Sequence, residues 1–251
     1  MDLQLKGKVA IVTGGASGMA HAVVELLAAE GVSVVIADIN GESGRQAADK
    51  IKHAGGAALF CQTDVSLADA VGQLVDMTLK SYGQVDILFN IAGPGARGGQ
   101  LDTEEKEFDR QLNTHLKGVV HCTQRVLPHM MERRYGKIVN MGSFAAYGVI
   151  DDIPAYCAAF GAIISYTKNV GRFAAAYNIN VNSVSPGNIL TPMTSGWLHE
   201  GANMQKMVSQ IPIGRVGAPE DVAAVCVFLA SDRARHIVAT DINVSGGQVI
   251  Y

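Results

Sequence analysis

The sequence has few aromatic residues, no large excess of either charge and no long apolar run. Aromatic side chains make up 6% of its 251 residues, and 20 basic against 23 acidic residues leave a formal net charge of -3. Such a balance gives nucleic acids and anionic membranes little to bind. The longest apolar run, residues 222–230, is far shorter than the roughly 20 residues that span a bilayer. We therefore expect neither a nucleic-acid partner nor a membrane anchor.

Cysteine and histidine patterns that bind metals are also missing. The cysteines form no CxxC pair, and the histidines form no HExxH motif. The sequence therefore predicts reduced thiols, no disulfide framework and no metal site. Residues 1–8 lack the apolar core of a secretory signal, so we expect a cytoplasmic protein that acts on a small molecule. The dispersed cysteines are Cys61, Cys122, Cys157 and Cys226.

Short apolar runs alternate with amphipathic segments along the whole chain. Segments such as 21–30 and 71–80 have apolar residues at spacings of three and four, which indicates helices. The runs between them are almost wholly apolar, as in a parallel sheet covered on both faces. The pattern predicts an α/β fold: a doubly wound parallel sheet, Rossmann-like, in a single domain over residues 1–251. The expected strands are 9–13, 32–38, 57–64, 85–90, 136–141, 178–185 and 240–245.

A glycine-rich turn follows the first strand and leads into a helix. Gly14 and Gly18 permit a tight turn and a close approach of the backbone to a ligand. The amides that open the helix, near Ser17 and Met19, can then hold a pyrophosphate. The turn therefore predicts a dinucleotide site.

The acid that ends the second strand supports the same interpretation. Asp38 lies about twenty residues beyond the last glycine, where the dinucleotide pattern places an acid on the adenosine ribose. A carboxylate there accepts hydrogen bonds from the ribose hydroxyls and repels a 2′-phosphate. We therefore expect NAD rather than NADP, with Ile39 beside Asp38 also contacting the cofactor.

From this point the spacing of motifs resembles that of the short-chain dehydrogenase/reductase family, and the resemblance extends over essentially the full chain. The family's TGxxxGxG appears as TGGASGMA, with Ala20 in place of the third glycine. Further matches are Asp64-Val65, Asn90-Ile91-Ala92-Gly93, Ser143 in NMGSF, Tyr156 in PAYCAAF, and Pro186-Gly187-Asn188-Ile189-Leu190-Thr191.

The resemblance implies a role for each match and an assembly for the chain. Asp64 and Val65 are expected to frame the adenine, and residues 90–93 to line the cofactor cleft. Residues 188–210 are expected to form a substrate lid. Helices around 103–133 and 153–177 are expected to build a homo-tetramer or dimer. The remaining expected cofactor contacts are Asn90, Ala92, Gly93, Tyr156, Pro186, Ile189 and Thr191.

The catalytic end departs from the family. Ser143 matches the serine that holds the substrate oxygen, and Tyr156 matches the tyrosine that exchanges a proton. The lysine expected four residues after the tyrosine is Phe160, and the family's asparagine aligns with His115. Without a nearby cation, a tyrosine of ordinary pKa is about 0.1% ionised at neutral pH, so alcohol oxidation suffers more than reduction.

His115 is a candidate for part of the lost function. An imidazole that titrates near neutral pH can shuttle protons, which makes His115 a third candidate catalytic residue beside Ser143 and Tyr156. The alternative is a histidine that merely fills a gap between helices. Phe144, Tyr147, Phe160, Met193 and Trp197 are candidates for an apolar substrate wall, and the alternative is that they are simply core residues. The segment after Thr191, through Trp197 and Met207, is expected to cover the substrate, and its methionines favour an adaptable apolar pocket.

Three functions are compatible with these residues. The first is an NAD(H)-dependent oxidoreductase that interconverts a secondary alcohol and a ketone or aldehyde, with Tyr156 as proton donor or acceptor. The second is a non-redox enzyme, an isomerase, lyase or cyclase, that retains NAD. The third is a catalytically silent NAD-binding protein.

Overall fold

The computed structural model describes residues 2–96, 98–147, 152–198 and 201–250. The side chain of Trp197 and lid residues 199–200 lie outside the described part. A parallel sheet forms the centre of the molecule, and the seven predicted strands are confirmed with ends shifted by up to two residues. The strands are β1 Val9–Thr13, β2 Ser33–Asp38, β3 Ala58–Gln62, β4 Ile87–Asn90, β5 Gly136–Met141, β6 Ile179–Pro186 and β7 Asp241–Val244.

The strand order creates a crevice at the carboxyl edge of the sheet. The order is β3-β2-β1-β4-β5-β6-β7, with every neighbouring pair parallel. The chain therefore winds outward from β1 in one direction and from β4 in the other. In open α/β sheets, ligands bind where the strand order reverses, because the connections leave the sheet in opposite directions at that point. In this sheet the reversal is the gap between β1 and β4.

Helices cover both faces of the sheet. One apolar layer joins the sheet to α1, α2 and α9, and the other joins it to α3, α5 and the end of α6. None of the described helices is both long and apolar enough to cross a bilayer. The helices are α1 Gly18–Ala29, α2 Gly41–His53, α3 Ala68–Tyr82, α4 Glu105–Gln111, α5 Gly118–Arg133, α6 Pro154–Ala174, α7 Pro192–Leu198, α8 Gly201–Ser209 and α9 Pro219–Leu229.

The long helix expected at 103–133 is interrupted. A π-helical turn, Leu112–Lys117, separates α4 from α5 and carries His115. Such turns are uncommon and occur often at functional sites. The helix expected at 153–177 is present as α6, followed by a short 3-10 turn at Ala175–Tyr177.

Candidate active site

A cavity of about 1240 Å³ lies at the carboxyl edge of the sheet. It runs from the glycine turn before α1 to the start of α6. Every predicted site residue except Asn90 lines it: Gly14, Ser17, Gly18, Met19, Asp38, Ile39, Asp64, Val65, Ala92, Gly93, His115, Ser143, Tyr156, Pro186, Ile189 and Thr191.

The glycine turn is tied to the loop after β4 through the hydroxyl of Thr13. Thr13 Oγ1 donates to Phe89 O at 3.2 Å and accepts the amides of Ile91 at 2.9 Å and Ala92 at 3.2 Å. Gly14 has a positive φ of 72°, and a Cβ there would lie 3.0 Å from Ala92 Cα. A glycine is therefore required for the two cofactor motifs to meet. Sequence reasoning missed Thr13, although its place at the end of β1 was visible.

Asp38, at the end of β2, bonds the glycine turn from the side opposite the β4 loop. Its carboxylate accepts the Ala16 amide at 3.1 Å and the Asn40 amide at 2.9 Å. Ile39 is 66% exposed beside it. These bonds fix a negative charge at the cavity wall, beside an apolar surface on which a flat ring can stack.

The segment after β3 forms the next part of the wall. Asp64 Oδ1 accepts the Ser66 amide at 2.9 Å and the Ser66 hydroxyl at 2.6 Å. Val65 is buried, and its carbonyl bonds His121 Nδ1 at 3.1 Å. Both predicted adenine residues line the cavity, and Val65 is held by a histidine that the sequence did not single out.

Asn90 corrects the prediction for the β4 motif. Its amide donates to Asn140 Oδ1 at 2.8 Å and to Thr123 Oγ1 at 3.3 Å, in the buried interior. These bonds join β4 to β5 and to α5, so the side-chain amide of Asn90 has a structural role. In contrast to the expectation, Asn90 is not among the residues that line the cavity, whereas Ala92 and Gly93 are.

Ser143 and Tyr156 meet at the far end of the cavity. Ser143 lies just beyond β5 and is buried, and Tyr156 lies in the first turn of α6. Burial raises the pKa of Tyr156 to about 12, and a hydrogen bond with Ser143 offsets part of that rise. The phenol is therefore neutral at physiological pH and can give a proton more readily than take one.

Phe160 packs against Tyr156. It lies one helical turn after Tyr156, is buried, and its ring centroid is 4.4 Å from that of Tyr156. Among the cavity-lining residues that the structure describes, Arg110 is the only lysine or arginine. Its guanidinium bonds both carboxylate oxygens of Glu107, at 2.7 and 2.8 Å. The described site thus offers Tyr156 no free cation.

His115 lies between the tyrosine and the loop after β4. Its Nε2 is 3.0 Å from Pro94 O, and since a carbonyl only accepts, Nε2 carries the proton. Its ring makes an edge contact with Tyr156 and a tilted contact with Phe160, at centroid distances of 5.4 and 4.7 Å. A Cβ at Gly93 would overlap the imidazole, so the glycine makes room for it.

The electrostatic part of the His115 hypothesis is wrong. Burial lowers the pKa of His115 to about 4, despite the hydrogen bond to Pro94 that acts in the opposite direction. The imidazole is therefore neutral at physiological pH and cannot stand in for an ammonium group.

The apolar wall is only partly as expected. Phe144, Phe160, Met193 and Met207 line the cavity, together with Ile153. Tyr147 does not, because its hydroxyl donates to Asp241 Oδ2 at 2.7 Å. This bond holds the short turn that follows Ser143 against the start of β7.

Comparisons with known proteins agree with this geometry. A family model described as enoyl-(acyl carrier protein) reductase matches residues 14–248. The 3-oxoacyl-(acyl-carrier-protein) reductase FabG of Thermotoga maritima is 36% identical over 248 residues, covering 99% of this chain and all of that protein. The chain belongs to the short-chain dehydrogenase/reductase family.

Other members of the short-chain dehydrogenase/reductase family match over nearly their full length. The NAD-dependent glycerol dehydrogenase of Listeria innocua is 38% identical over 251 residues, covering 99% of this chain and 96% of that protein. The crystal structure of NAD+-bound xylitol dehydrogenase superposes with a TM-score of 0.93 at 28% identity, over 97% of this chain and all of that one. This chain is accordingly an oxidoreductase of the short-chain dehydrogenase/reductase type.

Proposed function

We propose that the protein is an NAD(H)-dependent oxidoreductase that interconverts a secondary alcohol and a ketone or aldehyde, with reduction favoured at neutral pH. The observation that carries the proposal is that Ser143 and Tyr156 line the same cavity as the glycine turn and Asp38. A proton donor and a dinucleotide cradle at opposite ends of one cavity are the parts that hydride chemistry requires.

The residues present fit NAD at the adenosine end. Gly14, Ser17 and Gly18 line the cavity where α1 begins, at the place where a pyrophosphate would bind, and Asp38 carries a fixed negative charge where ribose hydroxyls would bind. A bound nicotinamide would supply or accept the hydride. The names of two relatives, an NAD-dependent glycerol dehydrogenase and an NAD+-bound xylitol dehydrogenase, support this cofactor. At the nicotinamide end, Phe160 offers no donor to a ribose hydroxyl.

Ser143 and Tyr156 perform the two remaining tasks, which are binding the substrate oxygen and transferring the proton. The Ser143 hydroxyl, buried beside the phenol, hydrogen-bonds the carbonyl oxygen of the substrate. Tyr156 gives its proton to that oxygen as negative charge develops there. In the reverse direction the phenolate would have to form first, and at a pKa of about 12 roughly one molecule in 10⁵ holds it at pH 7.

The walls at this end support an apolar substrate. Phe144, Ile153 and Phe160 line the cavity beside the hydroxyl pair, and Met193 and Met207 line it from the helices that follow Thr191. Methionine side chains adapt to varied apolar shapes. We take residues 188–210 as the substrate lid of a dinucleotide-binding domain that spans residues 1–251.

A second function is favoured by the aromatic cluster itself. His115, Tyr156 and Phe160 pack ring against ring where the family has an asparagine and a lysine. A site specialised for isomerase, lyase or cyclase chemistry could use Tyr156 as an acid without a hydride step. A silent NAD-binding protein would use none of the three side chains.

Nicotinamide absorbance with a panel of uncharged ketones and aldehydes tests the proposal. The proposed reductase consumes NADH with some members of the panel and loses that activity on Tyr156→Phe. NAD binding without turnover on any ketone or alcohol would favour the second function. Binding that is unchanged by Tyr156→Phe, with no chemistry of any kind, would favour the silent protein.

The same proposal includes an assembly and a compartment. Exposed aromatic side chains on α4 and α6, Phe108 at 39% and Phe173 at 53%, support a homo-tetramer or dimer built from these helices. Cysteines without a disulfide, of which Cys122 and Cys226 are buried, support a cytoplasmic location. Sedimentation of the purified chain tests the first point.

A further inference from the structure

The loop Pro94–Gly95 is held by an unusual concentration of side-chain donors. His115 Nε2 bonds Pro94 O at 3.0 Å, and Arg110 Nη2 and Gln111 Nε2 bond Gly95 O at 2.9 and 3.0 Å. All three donors come from the end of α4 and the π-helical turn. Two consecutive carbonyls therefore anchor the loop to one short helical segment.

Glu107 organises two of these donors. Its Oε2 accepts Arg110 Nε at 2.7 Å, and its Oε1 accepts Arg110 Nη2 at 2.8 Å and Gln111 Nε2 at 2.7 Å. The side chain of Glu107 is 14% exposed, so these bonds form largely away from water. Glu107 therefore orients both the Arg110 guanidinium and the Gln111 amide toward the Gly95 carbonyl.

The side-chain amide of Gln111 is oriented so that its nitrogen donates two hydrogen bonds and its oxygen has no partner. The residue is fully buried, and its Oε1 has no hydrogen-bond partner. The opposite orientation would face Oε1 toward two acceptors, Gly95 O and Glu107 Oε1, and would be repulsive. A buried acceptor without a partner destabilises a fold. The two donated hydrogen bonds are what the glutamine contributes.

The other side of Gly95 contacts the segment over the substrate end. A Cβ placed on Gly95 would lie 3.4 Å from Met193 Cγ and 3.5 Å from its Sδ. Met193 lies in the first turn of α7 and lines the cavity. The Gly95 carbonyl thus faces the helical donors while its Cα faces the first residues of the lid.

We propose that Glu107, Arg110 and Gln111 are positioning residues that fix Gly95 as the seat of α7 and so set how closely Met193 covers the substrate. None of the three is placed in contact with the reacting atoms. The inference rests on the proposed function for its kinetic consequence only, because the structural consequence can be measured without turnover.

Hydrogen exchange gives the structural test. Gln111→Met keeps the length of the side chain and removes both donations, and Gln46→Met on the exposed face of α2 is the matched control. We expect amides of peptides covering 93–96 and 192–198 to exchange at least tenfold faster in Gln111→Met, with the sheet peptides unchanged. Exchange that is unchanged in those peptides would overturn the proposal. If Gln111→Met does not fold, Arg110→Gln, which removes a half-exposed donor to the same carbonyl, is measured instead under the same criterion.

Coupling to Met193 gives the kinetic test. Gln111→Met should raise the KM for the carbonyl substrate about tenfold with kcat changed less than threefold, and should leave NAD binding unchanged. In a Met193→Ala background the same substitution should change KM less than twofold, because the seat no longer has a side chain to position. Equal effects in both backgrounds would overturn the proposal. If the unaltered protein showed no turnover, that result would count against the proposed function instead. The hydrogen-exchange result would still test whether the three residues position Gly95 against α7.

Discussion

The rings of Tyr156 and Phe160 lie one helical turn apart on α6 with their centroids 4.4 Å from each other. An ammonium group at the second position would stabilise the phenolate of the first, whereas an aromatic ring excludes water and stabilises the neutral phenol. In the function proposed above, Tyr156 therefore gives a proton readily and lacks the neighbouring charge that would make it a good base.

Phe160→Lys should restore part of that charge. A cation beside Tyr156 lowers its pKa by about 1–3 units, so alcohol oxidation near pH 8 should rise about tenfold or more. Reduction should change little, because the phenol is already protonated. The measurement is the rate of NAD reduction between pH 7 and 10. Phe160→Met, of similar length and without charge, is the control, and an equal gain in both variants would contradict the electrostatic account.

The stability of the protein should fall in mild acid through His115. Its folded pKa of about 4 lies below the usual 6.5, so between these values the unfolded chain binds the proton and the folded chain does not. Stability from this residue is present above pH 6.5 and is lost as pH falls toward 4, by up to about 3 kcal/mol. Denaturant unfolding at several pH values should show this slope reduced in His115→Gln. Exposed His53→Gln should keep the slope, and a slope retained in His115→Gln as well would show that the imidazole is not the cause.

Asp38→Asn should weaken NAD binding and relax discrimination against NADP. Both carboxylate oxygens accept backbone amides, so the asparagine nitrogen must face an N–H group, while the charge that repels a 2′-phosphate is removed. We expect the preference for NAD to fall by about 10–100-fold, on the order of 1–3 kcal/mol. Titration with each cofactor measures it, and the surface variant Asp49→Asn is the control. An unchanged preference would remove Asp38 from the cofactor site.

Thr13→Val should destabilise the junction of the two cofactor motifs. The hydroxyl bonds one carbonyl and two amides between β1 and the loop after β4, and valine leaves them without a partner at about 1–3 kcal/mol per buried group. The unfolding free energy should fall by about 3 kcal/mol or more, with weaker NAD binding. Thr78→Val is the matched control, since that buried hydroxyl bonds only Leu74 O in its own helix. Equal losses in both variants would argue against a special junction.

Regular features of the chain were readable from the sequence because they depend on local patterning. The apolar runs predict all seven strands, and the turn at Gly14 with the acid at Asp38 predicts which edge of the sheet carries the cavity. Asn90 shows the limit of this reasoning. Its motif marks the correct loop, but whether an amide faces a cavity or a neighbouring strand depends on packing against Asn140 and Thr123.

The contacts and burial of the side chains around Tyr156 could not be predicted from the sequence. The pKa of His115 depends on its burial against Gly93 and Tyr156, and the π-helical turn that brings it there has no simple sequence pattern. Arg110 and Gln111 likewise become interpretable only once their shared acceptor, the Gly95 carbonyl, is located. In each case the decisive partner lies on a different element of the fold.

Ketone-dependent consumption of NADH by the unaltered protein and by Tyr156→Phe, followed from pH 6 to 10, tests the central claim most directly. With the pKa of Tyr156 raised to about 12, the account predicts reduction that is nearly independent of pH over this range. It also predicts a loss of at least 100-fold when the phenolic hydroxyl is removed. Two results would contradict the claim that the neutral phenol of Tyr156 delivers the proton. One is equal NADH consumption by both proteins, and the other is a rate that falls steeply with rising pH before pH 10 is reached.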